Sequence, residues 1–529
     1  MIKLTTAAQM RDMDRETAEK FAVPGIVLME NSALRVVDVL AERFGPLRGK
    51  RVAIVCGKGN NGGDGLAVAR HLSARFGAKV TVWLTAPAAA FTGDAAANYA
   101  MAAAYRLDLR PWAGTLGETD LVIDALLGTG IKGGVSGELA GVIEAVNGAG
   151  KPVVAVDVPS GLDADTGEVD GACVSAVLTV TFALPKFGLL VYPGAGSVGE
   201  MVTADIGMPL PVMAAEGVQV VATEASDVAG WVPARVNGRD SNKGKFGHVS
   251  VFAGSAGFVG APVLSTEAAA RTGAGLVTLA VPKGVQAAAM ARISPIAMTR
   301  GLAETGRGTF SPEALEKALD IAHKGTAAAI GPGLGGADDA DTRQFVCEFV
   351  SRCAVPLVVD ADALNCLALE DDHGAGIVRK RTAATILTPH PGEMGRLQGT
   401  DTRTVQADRR KAVEDAARAY GCAVLLKGAR TLIADPDGRL AVNTTSNPGM
   451  ATGGSGDVLT GVLAALLALG SPEETLTAWQ AAACGAYLHG LAGDLAAEAQ
   501  GGPAGLIATD IIMYLPAALA RCHAEAGRS

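Results

Sequence analysis

Paired cysteines are missing. The eight cysteines, among them Cys56, Cys173, Cys366 and Cys484, stand singly, with neither a CxxC pair nor a Cys/His cluster. That pattern excludes a structural zinc site of the usual spacing and leaves reduced, mostly buried thiols as the expectation. Long lipid-compatible runs are missing too, since no window offers eighteen such residues in succession. The opening stretch MIKLTTAAQMRDMDRETAEKF scatters charges where a signal peptide would carry its apolar core. A cytoplasmic protein with no membrane partner is therefore expected. An excess of positive charge is also absent: 45 Lys and Arg face 54 Asp and Glu, a formal net charge of -9. Broad nucleic-acid binding is excluded on that ground, although a local basic pocket is not.

What is present is a long, apolar and glycine-rich chain. Its 529 residues exceed one ordinary domain, and 49% hydrophobic content against 19% charged supports sizeable cores. Short β-rich runs (KRVAIVC, KVTVWL, DLVIDAL and KPVVAVDVP) alternate with helical patterns such as DGLAVARHLSARF. Such alternation predicts βαβ units and a mostly parallel sheet. It fades over VLTVTFALPKFGLLVYPGAGSVGEMVTADIGMP, which reads as edge strands and turns. Weak periodicity follows, and the domain boundary is placed near residues 208 to 225. Beyond it the alternation resumes, ending in long alanine-rich helices around Leu459 to Leu469 and Thr475 to Ala499. The halves share no common period and read as two unrelated α/β modules.

Two glycine clusters ask for an explanation. GKGNNG, from Gly57 to Gly62, satisfies G-x-G-x-x-G after a strand and before a helix. The dinucleotide fingerprint also needs an acid at the end of the next strand, yet KVTVWLTAP ends in Leu84 and Thr85. Asn60, Asn61 and Asp64 instead offer oxygen ligands for a hard cation or hydrogen bonds to a polar ligand. Asp124 in VIDALLGTGIKGG, and Asp157 with Ser160 in VVAVDVPSGLDADTG, stand at two further strand ends. Carboxyl ends of parallel strands line one crevice. Helix capping would explain any one of these acids, but three beside glycine loops point to a site.

Together GKGNNGGDG, DALLGTG and VDVPSGLDADTG resemble the NAD(P)H-hydrate epimerase family over about residues 1 to 215. The resemblance implies interconversion of the R and S forms of a nicotinamide cofactor hydrated at its six position. It implies a potassium ion on Asn61, Asp124 and Ser160. The hydrate would be contacted by the loop Asn60, Asn61, Gly62, Gly63 and Asp64, by Gly128, Thr129, Gly130, Ile131, Lys132, Gly133 and Gly134, and by Asp157. Asp157 is the expected acid/base, because either ring opening or loss and return of water needs proton transfer at an oxygen.

The second cluster is NPGMATGGSGDVLTG, which opens onto an apolar helix-like run. Gly453 to Gly456 would present N–H groups at a helix start, where an anion is favoured. No lysine–serine pair follows, so it is not a Walker loop. Asp457 falls in the first turn, where the dipole is expected to keep its pKa low, tolerable for orienting an attacking hydroxyl. TPHPGEMGRL, LLKGARTLI and this cluster are similar to the ADP-dependent NAD(P)H-hydrate dehydratase family over about residues 225 to 525. That resemblance assigns Lys427, Gly428, Ala429, Arg430, Thr431 and Gly456 to the adenine nucleotide, and Ala261, Gly333, His390 and Asp457 to the S-hydrate. Asp360 and Asp362 are expected to shape the site or to help magnesium.

The two resemblances imply a Rossmann-like three-layer αβα domain at residues 1–218 and a ribokinase-like αβα domain at 219–529. The implied reaction at Asp457 is phosphoryl-driven dehydration, with ADP as co-substrate, magnesium, and AMP and phosphate as products. A homo-oligomer is expected. A small-molecule kinase of the vitamin or sugar type would use the same cradle and aspartate, and a nucleotide-binding sensor would use neither aspartate for turnover.

Overall fold

Alternate residues along each central strand of the N-terminal half bury into opposite faces. Val52, Ile54 and Cys56 pack into one apolar cluster, and Ala53 and Val55 into another. A strand buried on both sides must lie inside a layered fold. The computed structural model describes residues 1–214, 217–232, 241–469 and 476–527. The chain divides into two units, Ile2–Val220 and Val221–Ser529, with Met1 counted in the second.

In the first unit the strands are β1 (Arg51–Cys56), β2 (Lys79–Leu84), β3 (Asp108–Pro111), β4 (Leu121–Ala125), β5 (Val153–Val156), β6 (Leu178–Phe182) and β7 (Glu200–Ala204). They pair in the order β3-β2-β1-β4-β5-β6-β7, all in parallel. The main helices are α1 (Ala7–Phe21), α2 (Gly25–Phe44), α3 (Asn60–Phe76), α4 (Gly93–Ala104) and α5 (Gly137–Asn147). Residues of α2 and α3 pack on one sheet face, and Val142, Ile143 and Val146 of α5 on the other. The result is the expected three-layer, Rossmann-like arrangement. Strand order reverses between β1 and β4, and a ligand crevice is expected at that point.

Two local expectations are corrected. Asn60–Asp64 is not a loop but the first turns of α3, which begins at Asn60. Glycine serves contact there: a Cβ on Gly62 would lie 1.8 Å from the Gly57 carbonyl oxygen, and one on Gly65 would lie 2.5 Å from Ala125 Cβ. The stretch read as edge strands supplies β6, which is buried along its whole length between β5 and β7. Only β7 is an edge.

The second unit has strands β8 (His248–Phe252), β9 (Leu276–Pro282), β10 (Met298–Leu302), β11 (Ala327–Ile330), β12 (Leu357–Val359), β13 (Thr385–Leu387), β14 (Ala423–Leu426), β15 (Leu432–Ala434) and β16 (Leu440–Val442). They run in the order β16-β15-β14-β13-β12-β11-β8-β9-β10. Pairing is parallel except at the β14-β15-β16 end, which is antiparallel. Its helices include α6 (Gly260–Thr272), α7 (Ala340–Arg352), α8 (Pro391–Leu397), α9 (Ser455–Ala468), α10 (Ala478–Gln500) and α11 (Ala508–Ala526). Val458 to Ala468 of α9 are buried without interruption, so this helix is central to its layer. On the opposite face Phe252 of β8 meets Phe349 of α7, ring centroids 4.5 Å apart. Helices thus cover both faces, and the unit is an αβα sandwich, the layering that the ribokinase-like expectation calls for. The expected helix start at Thr475 lies outside the described residues.

All eight cysteines are free, and six are buried. No described helix is long and apolar enough to cross a membrane.

Candidate active sites

The reversal point of the first sheet opens into a cavity of about 820 Å³. Asn60, Asn61, Asp64, Gly128, Thr129, Gly130 and Asp157 all line it. Ile131, Lys132, Gly133 and Gly134 line an adjoining recess of about 430 Å³. Gly62 and Gly63 are buried in the first turns of α3, outside the residues lining either space.

At the end of β4, Asp124 is 1% exposed. Ser160 donates to it twice, from its hydroxyl at 2.6 Å and its backbone N–H at 2.8 Å, and the Leu126 N–H adds a third bond at 3.2 Å. Burial nevertheless pushes the carboxyl up to about 6, with those hydrogen bonds opposing it. Close by, the Asn61 amide donates to the Leu127 carbonyl at 2.7 Å, and Ser160 Oγ lies 3.2 Å from the same oxygen. The Asn61 side-chain oxygen is buried with no partner among the described residues. An orphaned amide oxygen beside a buried carboxylate, a hydroxyl and a backbone carbonyl is a donor set of hard oxygens.

Asp157 sits one residue past β5, and its backbone is left-handed at φ 64°. Its N–H donates to the Val180 carbonyl of β6 at 2.8 Å. Oδ1 accepts from Thr181 Oγ1 at 3.0 Å, from the Phe182 N–H at 3.3 Å, and from Lys186 Nζ at 2.5 Å. Lys186 is 2% exposed and also lines the cavity. Nothing in ALPKFG marks this lysine, which reads as a surface charge after a proline. Asp14 was missed as well: it reaches the cavity from α1, on a helix whose apolar face gives no hint of a site.

In the second unit the expected residues gather at the carboxyl ends of β11 to β14 and at the start of α9. Lys427, one residue past β14, bonds Asp360 at 2.7 Å and lies 3.7 Å from Glu393. Asp360, one past β12, also accepts from Thr460 of α9 at 2.5 Å. Burial opposes its charge, but Lys427 and these hydrogen bonds hold Asp360 below the usual carboxylate range. Asp362 accepts from the Gly335 N–H at 2.8 Å, which ties the turn after β11 to the same cluster. Gly333 of that turn is left-handed at φ 62° and packs so close that an added Cβ would lie 3.1 Å from Ala261 Cβ.

Ala261 opens α6, and four residues on Ser265 donates to the Asp457 carbonyl at 2.9 Å. Two glycines let α9 approach α6: a Cβ on Gly454 would lie 2.5 Å from Leu264, and one on Gly461 would lie 2.1 Å from the Ser265 carbonyl. Asp457 itself departs from expectation. Its carboxyl is pushed up to about 7, by burial first and then by Asp360, with Asp362 and Glu393 adding to it and Lys427 opposing. A helix dipole contributes about 0.3–1 kcal/mol, less than one pKa unit, so it loses to desolvation and three neighbouring acids.

His390 caps α8. Its Nδ1 accepts from the N–H groups of Gly392 at 3.0 Å and Glu393 at 3.3 Å, which leaves the ring proton on Nε2. Burial and the charge of Lys427 lower its pKa, so the ring is neutral near pH 7. Glu393, unforeseen in sequence, closes a capping box with the His390 N–H at 2.8 Å. The turn from Lys427 to Thr431 joins β14 to β15; Thr431 donates to the Gly428 carbonyl at 3.0 Å, and Arg409 to that of Ala429 at 2.6 Å. Arg430 is left-handed at φ 56° and donates to the Thr444 carbonyl at 2.5 Å. A Cβ on Gly456 would sit 3.5 Å from Lys427 Nζ, so the glycine cluster does reach this turn.

The class these features define is a two-module α/β enzyme with one carboxylate-centred crevice per module. Comparison with known proteins narrows it. Residues 25–188 match the YjeF-related protein N-terminus, and residues 249–517 match the NAD(P)H-hydrate dehydratase model. The bifunctional NAD(P)H-hydrate repair enzyme Nnr of Moorella thermoacetica is 44% identical, over 99% of this chain and 97% of that relative. Its namesake from Thermofilum pendens is 39% identical, over 98% and 96%. An ADP/ATP-dependent NAD(P)H-hydrate dehydratase from Bacillus subtilis, co-crystallised with ATP/Mg2+, is 28% identical, covering 58% of this chain and all of that one, at a TM-score of 0.48. The chain belongs to the family of bifunctional NAD(P)H-hydrate repair enzymes.

Proposed function

We propose that this chain repairs hydrated nicotinamide cofactors in two steps. The module at residues 1–218 epimerises the R and S hydrates of NADH and NADPH, and the module at 219–529 dehydrates the S form at the expense of ADP. The observation that carries the second step is Asp457, a carboxyl poised at about 7 in the first turn of a glycine-led helix. A base with a pKa near the working pH combines a useful ionised fraction with real affinity for a proton.

Asp457 takes the proton of the ring hydroxyl as its oxygen attacks the terminal phosphorus of ADP, and AMP leaves. Hydroxide is a poor leaving group and phosphate a good one. The ring nitrogen's electron pair then expels phosphate, and loss of a proton from the adjacent ring carbon restores the reduced cofactor. N–H groups of Gly453 to Gly456 would stabilise the transferring phosphoryl group. Lys427 to Thr431 and Gly456 would hold the adenine nucleotide. Ala261, Gly333 and His390 would hold the hydrate, with the neutral ring of His390 offering its Nε2 proton. Magnesium would accompany the phosphates, with Asp362 at hand and Asp360 engaged by Lys427 and Thr460.

In the first module Asn61, Asp124 and Ser160 would hold a potassium ion, which would satisfy the unpartnered Asn61 oxygen and the buried Asp124 carboxylate. Asp157 is read as the group that moves the proton of the ring hydroxyl. The residues Asn60 to Asp64 and Gly128 to Gly134 would surround the hydrate.

One assay tests the whole reading. The purified protein is given a mixed R and S hydrate preparation with ADP and magnesium, and NADH absorbance and AMP release are followed. Complete recovery is expected, with one AMP per cofactor restored. Recovery of the S fraction alone, with R consumed no faster than it epimerises in buffer, overturns the first step. A phosphorylated small molecule with no regenerated cofactor would mark a kinase instead.

A further inference from the structure

Asp64 stands apart from the other acids of the first cavity. It is 8% exposed, lines the 820 Å³ space, and forms no hydrogen bond or ion pair among the described residues. A buried carboxyl without a partner is costly, and its presence asks for a ligand or a proton. Its counterpart Asp157 is the reverse case, with an ammonium, a hydroxyl and a backbone N–H on one oxygen. Epimerisation of a carbinolamine by ring opening needs two such groups at once, one to take a proton from oxygen and one to give a proton to nitrogen.

We propose that Asp64 is the proton donor and Asp157 the proton acceptor of the epimerase site, with Lys186 as the positioning residue of Asp157. The inference rests on the epimerase reading above. Asp157 takes the hydroxyl proton as the carbon–oxygen double bond forms and the carbon–nitrogen bond breaks. The electron pair left on nitrogen takes the proton of Asp64. Rotation about the adjoining carbon–carbon bond turns the aldehyde over. On closure nitrogen attacks the other face, its proton returns to Asp64, and the oxygen recovers its proton from Asp157. No atom or electron is gained or lost.

Electrostatics agree with the direction. Burial first, then the charges of Asp157 and Asp14, raise the Asp64 pKa well above the ordinary carboxyl value, and Lys186 only partly offsets them. The ionisable groups facing it are those three and Cys56, whose thiol burial pushes far up. Arg11, Lys58, Asp94 and Glu138 complete the charged lining of the cavity. A raised carboxyl pKa suits a proton donor.

The test uses the full chain without ADP, so that dehydration is silent, and separates R from S hydrate by chromatography across pH. Wild type should lose activity on the alkaline side as Asp64 ionises. Asp64→Asn should lower kcat by about 10²–10⁴-fold and leave a residual rate without that alkaline limb. Asp64→Glu, which keeps a donor, should restore part of the rate with the limb displaced, and it decides the matter if Asp64→Asn does not fold. Lys186→Gln should lower kcat more than it changes KM, with Lys186→Arg recovering activity. An Asp64→Asn rate near wild type, or an alkaline limb unchanged in both variants, overturns the proposal. Wild type no faster than buffer would instead overturn the epimerase reading itself.

Discussion

At Asp457 two requirements meet in one side chain. As the proposed base, Asp457 must be ionised to accept a proton, yet its surroundings favour the neutral acid up to about pH 7. The dehydratase rate, kcat/KM for the S hydrate, should therefore rise with pH along an acid limb centred near 7 in the free enzyme. Asp457→Asn should abolish AMP release while R and S hydrates still interconvert. The same group carries a stability consequence. Its folded pKa lies above the ordinary value of 3.8, so folding is favoured while both states are protonated, and that advantage is lost as pH rises toward 7. Asp457→Asn should thus melt higher than wild type at pH 8, and the difference should vanish near pH 4. Calorimetry at the two pH values reads this directly.

At the scale of elements, helices α3 and α9 both begin in glycine clusters, and both clusters are sites of close contact more than of loose backbone. Gly461→Ala would press a methyl group to within 2.1 Å of the Ser265 carbonyl, on the helix that carries Ala261. The α6–α9 contact must open, and a loss of about 1–3 kcal/mol is expected in thermal or denaturant unfolding of the second unit. Gly453→Ala, where an added Cβ meets nothing within 4 Å, is the matched control.

This contrast also explains what could be read beforehand. Central strands such as Arg51–Cys56 and Leu121–Ala125 were legible because runs buried on both faces are almost wholly apolar, with Arg51 and Asp124 the exceptions near their ends. The start of α3 was not, because glycine and asparagine are poor helix formers and only the neighbouring backbone reveals why they are tolerated. Asp124, Asp157 and Asp457 were visible as acids at strand and helix ends. Lys186 was invisible, since it meets Asp157 only through the pairing of β5 with β6, where Val156 lies opposite Val180. The raised pKa of Asp457 was beyond local reasoning for the same cause: Asp360, Asp362 and Glu393 come from segments far away in sequence, just after other strands.

At the scale of the molecule, two units with separate cores predict two responses to ligands. Scanning calorimetry should resolve a transition moved by potassium and another moved by ADP with magnesium. A ligand at a hundred times its Kd stabilises its own unit by about 2.7 kcal/mol. Asn61→Ala should remove the potassium shift and leave the nucleotide shift intact. A single transition moved equally by both would mean that the cores do not unfold separately.

The left-handed backbone at Asp157 restricts how this position can drift over generations. Of the residues one base change away from aspartate, alanine, valine, glutamate and tyrosine meet a steric cost at φ 64°. Asparagine, glycine and histidine enter that region more readily, and of these asparagine alone keeps a side-chain oxygen to accept from Thr181 and Phe182. A descendant that sheds epimerisation while keeping its fold is therefore expected to carry asparagine at this position, a one-nucleotide step that leaves the dehydratase half untouched.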